Sequence, residues 1–397
     1  MANRVQTVVV GAGVVGLSIA RLLTRAGREV LLVDRAGRAV SGTSSRNSGV
    51  IHAGLYYERG SLKASTCVEG SWMLHKFCDM HNVPINKCGK MVVATTKSQD
   101  VKLQRIYTRG LGLGARDLVL LDGSDARRFE PALSPSVVGA IWSPHTAVVD
   151  QVKLGEALLK DCTNEGKDRF LFSPKSDVVD VRYENRSFEL RFEDGSVITC
   201  DELINSGGLY ARDFSALMKL KGQGIRNLPK LSFHKGSYFT LKQRSLCPFD
   251  RLIYPTRESG HLGIHLTMDT EGNVRLGPDS ENLGVESSLP KNIESSGLLG
   301  VDPMRAVAFR DAVADYWPDV PEVDQLEPDF AGIRPKTEHG DFIMDQHDIP
   351  GYVALYGIDS PGLTAALSLA HRVGDLLGIH GVAMPEMKSS HVYEWEK

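Results

Sequence analysis

Six residues, Gly11-Ala12-Gly13-Val14-Val15-Gly16, restrict this chain more than any other stretch. Ahead of them Val5 to Val10 is a β-branched run, apolar enough for a strand buried on both faces. Behind them Leu17-Ser18-Ile19-Ala20-Arg21-Leu22-Leu23 spaces its apolar side chains as a helix does. Gly27 breaks that helix, and Glu29 to Asp34 reads as a second buried strand. Strand, glycine turn, helix and strand make one βαβ unit, the setting that gives G-x-G-x-x-G a meaning. Gly11 permits the tight turn, Gly13 lets the backbone approach a pyrophosphate, and Gly16 lets helix and strand pack closely. The helix start at Val14 and Val15 offers unpaired N–H groups and a partial positive charge to a diphosphate. Asp34 closes the second strand, where an acid accepts ribose hydroxyls. That acid disfavours a 2′-phosphate and leaves FAD and NAD open. Arg35, directly after it, borders the site and reads as a surface residue rather than a phosphate ligand.

After Asp34 the chain does not enter the further βαβ repeat of a nicotinamide enzyme. It runs through a Gly/Ser/Thr-rich loop that contains Thr43, Ser44 and Ser45 into Arg46-Asn47-Ser48-Gly49-Val50-Ile51-His52-Ala53-Gly54-Leu55-Tyr56-Tyr57. Backbone amides and hydroxyls of such a turn can cap a helix and hold phosphate and ring polar atoms together. A lone histidine flanked by glycines suits neither a core strand nor a plain surface loop. Either the glycines admit a flat ring and His52 is delivered to it, or His52 is a core histidine satisfied by backbone carbonyls.

On these residues the chain resembles the FAD-dependent oxidoreductases of the D-amino-acid oxidase and glycerol-3-phosphate dehydrogenase group, and most closely the L-2-hydroxyglutarate dehydrogenases. Further stretches match in order along nearly the whole chain. They are Glu202 to Tyr210, Lys235-Gly236-Ser237-Tyr238-Phe239, Leu252-Ile253-Tyr254-Pro255, Leu262 to Thr267, Gly277-Pro278, Ala331 to Lys336 and Gly357 to Thr364. The glycerol phosphate branch carries an arginine where Tyr56 stands, and losing that cation argues against a phosphate-bearing substrate; that branch also has a longer C-terminal domain. The sarcosine oxidase branch often ties its flavin through a cysteine near the chain end, whereas the last cysteine here is Cys247. The resemblance therefore implies FAD held non-covalently in an α/β, Rossmann-like domain joined to a second, antiparallel-sheet substrate domain.

It implies cofactor contacts in the first unit at Gly11, Gly13, Val14, Val15, Gly16, Asp34 and Arg35, and in the following loop at Thr43, Ser44, Asn47, Ser48 and Gly49. Ser48-Gly49 abut the flavin ring. Val178 or Val179 lies along the adenine, and Gly207, Gly208, Gly332 and Arg334 complete the cradle with Asp359, Ser360, Pro361, Gly362, Leu363 and Thr364. Ser360 reads as the N-cap of an apolar helix, with Pro361 at its first position. The resemblance aims that helix start at the flavin edge where charge gathers on reduction. It also sets a discontinuous cofactor domain over about residues 1–85, 145–215 and 328–385, a substrate domain over 86–144 and 216–327, and a tail over 386–397. Within these, 177–181, 188–192 and 197–198 read as strands with a turn at Asp194-Gly195. The Gly/Ser/Asn-rich stretch from Pro278 to Leu299 reads as a solvated linker.

Composition is that of an ordinary globular protein: 397 residues with 42% hydrophobic and 24% charged side chains. A net charge of -3 gives no basic excess for nucleic acid. Six scattered cysteines lack zinc or disulfide spacing and read as buried thiols of a reducing, intracellular compartment, cytoplasmic or mitochondrial. No apolar run reaches the ~18 residues of a membrane span. Val8 to Ala20, interrupted by glycines, does not read as a signal peptide. A peripheral, quinone-facing surface stays compatible, and so do oxygen and an electron-transfer protein as electron acceptors.

Oxidising a 2-hydroxy acid needs a base for the hydroxyl proton, an acceptor for hydride and cations for carboxylates. His52 is the first candidate base and His265 the second. Arg334 can grip one carboxylate bidentately. A dicarboxylate needs a second polar cluster, for which Tyr56, Lys235, Tyr238, Tyr254 and Lys336 are the candidates; each also has a plain structural reading, and Lys336 reads equally as a solvated surface lysine. The expected reaction is L-2-hydroxyglutarate to 2-oxoglutarate by hydride transfer to flavin N5. An amino acid, sarcosine or glycerol 3-phosphate enzyme is the alternative, and a flavin-binding sensor the non-catalytic one.

Overall fold

Buried β-branched runs line up side by side at the centre of the fold. In the computed structural model, which describes residues 4–220, 223–225, 227–256, 263–285 and 289–379, five strands run parallel. Their order is Phe170–Pro174, Val30–Asp34, Arg4–Val10, Val197–Asn205 and Tyr352–Tyr356. Val10 lies opposite both Val33 and Asn205, so Gly11, Asp34 and Ser206 emerge together at the carboxyl ends. In open α/β sheets that edge is where ligands bind. The strands Val178–Glu184 and Ser187–Phe192 extend the sheet antiparallel from the first half of Val197–Asn205.

The expected helix is present as Val14–Arg25, and Gln151–Gly166 and Gly362–Leu376 pack against it. Leu17, Ile19, Leu154, Leu158, Leu367 and Leu369 fill the layer between. Each such side chain contributes about 1.5–3 kcal/mol by burial. Gly16 must be glycine here, because a Cβ would sit 1.8 Å from the Gly11 carbonyl oxygen. Gly11 has φ +99°, a left-handed conformation, and a Cβ there would stand 2.5 Å from the Ser206 carbonyl oxygen.

A second sheet stands over the carboxyl ends. It contains Lys90–Ala94, Val119–Asp122, Gly139–Ser143, Leu231–Leu241, Leu252–Pro255, Leu266–Met268, Val274–Leu276, Glu281–Val285 and Leu326–Thr337. It is antiparallel except where Leu252–Pro255 runs parallel to Lys90–Ala94. A small third sheet, Val50–Ile51, Ile85–Asn86 and Ala147–Val149, carries the chain towards His52.

Several expectations differ from this arrangement. Residues 328–337, expected in the cofactor layer, belong instead to Leu326–Thr337, which pairs along Leu231–Leu241 in the second sheet. Met218–Leu220, expected with the substrate domain, pairs with Val178–Glu184 in the first. The Pro278–Leu299 stretch is no plain linker, since Glu281–Val285 adds a strand beside Ser232–Lys235. Its Gly, Ser and Asn content masks a strand whose stability comes from pairing rather than propensity. The last helix begins at Gly362 with Pro361 as N-cap, so Ser360 is not the cap. Leu262 and the 386–397 tail lie outside the described residues. Among those described, no helix is long and apolar enough to cross a membrane.

Candidate functional site

Between the two sheets lies one cavity of about 1260 Å³, larger than the ~300–1,000 Å³ of ordinary small-ligand pockets. It runs from Asp34, Val178 and Val179 at one end to His52, His265 and Arg334 at the other.

At the first end Gly11, Gly13, Val14 and Val15 form the floor. The Ser44 hydroxyl accepts the Val14 N–H at 3.0 Å, tying the loop to the helix start. Asp34 accepts the Ala12 N–H at 2.6 Å through one carboxylate oxygen and the Ala36 N–H at 2.8 Å through the other. Each oxygen keeps a lone pair for a further donor. Arg35 lines the cavity with its guanidinium 3.6 Å from the centre of the Tyr210 ring. Thr43, Ser44, Asn47 and Ser48 line it too, as do Gly207, Gly208 and Gly332. The Asn47 side chain donates to the Thr43 and Ser44 carbonyls at 3.0 and 2.9 Å and accepts the Gly49 N–H at 2.9 Å, which stiffens the turn. Gly16 and Gly49 are off the cavity. Gly16 serves helix packing, and Gly49 fits under the Val149 carbonyl, 2.6 Å from where a Cβ would stand.

At the second end the Thr364 hydroxyl accepts the His52 backbone N–H at 3.0 Å and so fixes where the imidazole sits. His52 Nε2 lies 3.4 Å from Ser360 Oγ, while Nδ1 is buried without a hydrogen-bond partner among the described residues. Burial holds this imidazole well below its ordinary pKa, with Lys90 and His265 acting in the same sense. His265 stacks on Tyr254 at 3.6 Å and 12°. Tyr238 and Ser48 hydroxyls share a hydrogen bond of 2.9 Å across the sheets. Arg334 Nη2 donates to the Asp279 carbonyl at 2.7 Å, close over Gly236, where a Cβ would come within 2.8 Å of it. Asp359 to Thr364 complete the wall, with the Asp359 carboxylate 2.6 Å from Lys63 Nζ.

The sequence model of the family described as FAD dependent oxidoreductase matches residues 6–376, nearly all of this cavity-forming structure. The chain belongs to that family. An L-2-hydroxyglutarate dehydrogenase of Arabidopsis thaliana, assigned to mitochondria, is 35% identical over 94% of this chain and 83% of its own length. The L-2-hydroxyglutarate dehydrogenase of Indibacter alkaliphilus is 28% identical over 93% of this chain and 97% of its own. A solved L-α-glycerophosphate oxidase of Mycoplasma pneumoniae with FAD bound shares the fold, with a TM-score of 0.84 over 99% of both chains at 19% identity.

The FAD-dependent oxidoreductase thus described has residues that fit its cofactor. The glycine floor, the two-oxygen Asp34 acceptor and the cavity's continuous length together suit a dinucleotide. None of the six cysteines lines the cavity, in keeping with non-covalent binding. Replacing Asp34 with alanine strands the Ala12 and Ala36 amides and removes the charged acceptor. FAD affinity is expected to weaken about 10- to 150-fold, from ~1.5–3 kcal/mol per hydrogen bond to a charged group. A flavin fluorescence titration measures it, and unaltered affinity would remove Asp34 from the ribose.

Three of the expected substrate residues stand elsewhere. Lys235 is off the cavity because side chains alternate along its strand: Gly236 and Tyr238 face in, so Lys235 faces out and donates to the Gly300 carbonyl at 2.6 Å. Lys336 lies beyond the cavity, half-buried, its pKa lowered by burial and by Arg334, with Asp359 opposing. Tyr56 sits behind the wall, its hydroxyl buried without a partner among the described residues. One residue in this region escaped the sequence reading. Lys90 is fully buried at the head of the strand Lys90–Ala94, with Nζ 5.1 Å from the Tyr56 ring centre and 4.8 Å from that of Tyr254. Its signal was available: Met91-Val92-Val93-Ala94 is a strand apolar on both faces, and a lysine continuing such a strand is carried inside with it.

Proposed function

We propose that this FAD-dependent oxidoreductase oxidises L-2-hydroxyglutarate to 2-oxoglutarate. The observation that carries the reading is the convergence of His52, His265, Tyr238, Tyr254 and Arg334 on one end of the cofactor cavity. Arg334, steadied by the Asp279 carbonyl, keeps the rest of its guanidinium for the carboxylate beside the hydroxyl-bearing carbon. His52 receives the hydroxyl proton at Nε2, the nitrogen facing Ser360, as the carbon–oxygen double bond forms. When bound, FAD supplies the two-electron acceptor for the hydrogen that leaves this carbon as hydride. Tyr238 is held by Ser48 and Tyr254 by His265, so both present fixed polar edges to the remaining carbons and the second carboxylate. A phosphate-bearing substrate is disfavoured: Tyr56, the position at which an arginine marks the glycerol phosphate branch, carries no charge and stands behind the wall.

Anaerobic mixing of the yellow holoprotein with L-2-hydroxyglutarate is expected to bleach the flavin band near ~450 nm, with the D-enantiomer inert. Flavin that neither enantiomer bleaches would sink the substrate assignment. Re-oxidation of the bleached protein by air, a soluble quinone or an electron-transfer protein, tried in turn, then identifies the acceptor.

A further inference from the structure

Burying an ammonium without a counter-ion costs several kcal/mol, so a protein that does so next to its active site calls for an explanation. Lys90 Nζ has no hydrogen-bond or ion-pair partner among the described residues. The Tyr56 and Tyr254 rings flank it at 5.1 and 4.8 Å, and cation–π attraction recovers only part of that cost. Tyr254 in turn stacks on His265, which lines the cavity beside His52.

Among the described residues, the other groups around His52 offer no free anion. Cys67, on the helix Leu62–His81, donates through Sγ to the His52 carbonyl at 3.6 Å, and burial pushes its thiol up to about 12. Tyr56, Tyr57 and Tyr254 are likewise held protonated by burial. Asp359, before the last helix, is engaged by Lys63. Ser360 and Thr364 are neutral. Among the described residues Lys90 is therefore the uncompensated charge behind the two histidines.

We propose that Lys90 is a positioning residue for the proton step: its unpaired ammonium adds to burial in disfavouring a second proton on the His52–His265 pair and leaves His52 open to the hydroxyl proton. This rests on the reading of His52 as proton acceptor. A second proton placed on either ring would stand close to a cation in a region of low dielectric, which is unfavourable. Burial first, and Lys90 after it, hold the His52 pKa below its ordinary value. The ammonium is itself pushed down to about 8 by burial, so it is charged at neutral pH and loses its influence in mildly alkaline solution.

The test is Lys90→Met, an apolar side chain of similar length, studied as holoprotein. Removing the cation raises the imidazole pKa values, so a smaller fraction is neutral in acid. The acid limb of kcat/KM is expected to move up by about one pH unit, giving a loss of about tenfold below both limbs and none in alkali. A histidine-selective NMR titration without substrate should show the His52 and His265 midpoints rising together. The melting temperature should hold or rise, since an unpaired buried charge has gone. A lysine of purely structural importance would instead lower it and leave the midpoints in place. Unmoved midpoints in Lys90→Met, or in Lys90→Gln if the methionine variant does not fold, overturn the proposal. Raised midpoints in a protein inactive on every 2-hydroxy acid uphold it and sink the substrate reading instead.

Discussion

Replacing His52 with asparagine is expected to lower kcat by about 10²–10⁴-fold, the usual worth of a positioned acid or base, while the protein stays yellow. The backbone N–H of residue 52 still reaches Thr364 Oγ1, so the loop keeps its course and the loss falls on the proton step. The pH profile separates this from simple damage. Burial, Lys90 and His265 all depress the His52 pKa, so the base is already neutral above the ordinary imidazole value of about 6.5. Wild-type kcat/KM should therefore be level upward from there, and its acid limb should lie lower still. In the asparagine variant the residual rate should lose that limb altogether. Stopped-flow reduction across pH measures both. A variant within threefold of wild type would transfer the proton step to His265, and His265→Asn would then show the large loss.

The first βαβ unit could be read from the sequence because each of its residues answers to a local demand. Gly11 needs a left-handed backbone, Gly16 leaves no room for a Cβ, and Asp34 ends a strand apolar on both faces. His52 was legible for the same reason, as a polar residue with no local use. The lysines were not. Whether Lys235 or Tyr238 faces the cavity depends on the phase of one long strand, Leu231–Leu241, and sequence alone does not say which face meets the cofactor. Lys336 lies only two residues from Arg334, but the cavity ends before it. Lys90 was overlooked for a different reason. A lysine normally reads as surface; the apolar run Met91 to Ala94 is the one local hint against that, and the parallel pairing of Lys90–Ala94 with Leu252–Pro255, deep in the second sheet, shows that it is enclosed. The same long-range pairing moved residues 328–337 out of the cofactor layer, since Leu326–Thr337 takes its partner nearly a hundred residues away in the chain.

That pairing also defines what Arg334 can do, and Arg334→Lys is expected to lower kcat/KM by about 10- to 150-fold, or ~1.5–3 kcal/mol. The guanidinium spends one Nη2 donor on the Asp279 carbonyl and is thereby oriented before any substrate arrives. Its planar fork can keep that bond and still present two parallel donors to a carboxylate. A lysine has three donors on one nitrogen and no fork, so it must choose between the carbonyl and a bidentate grip. Charge is conserved in the exchange, and the loss therefore measures geometry. It should appear in KM and in kcat together, because a carboxylate held at one point no longer fixes the angle at which the neighbouring C–H bond is presented. Flavin content measured alongside separates Arg334's two assigned duties: unchanged content with a large kinetic loss puts its work on the substrate, and a matching loss of FAD puts it on the cofactor. A lysine variant with kcat/KM within twofold of wild type would mean that another cation takes the carboxylate.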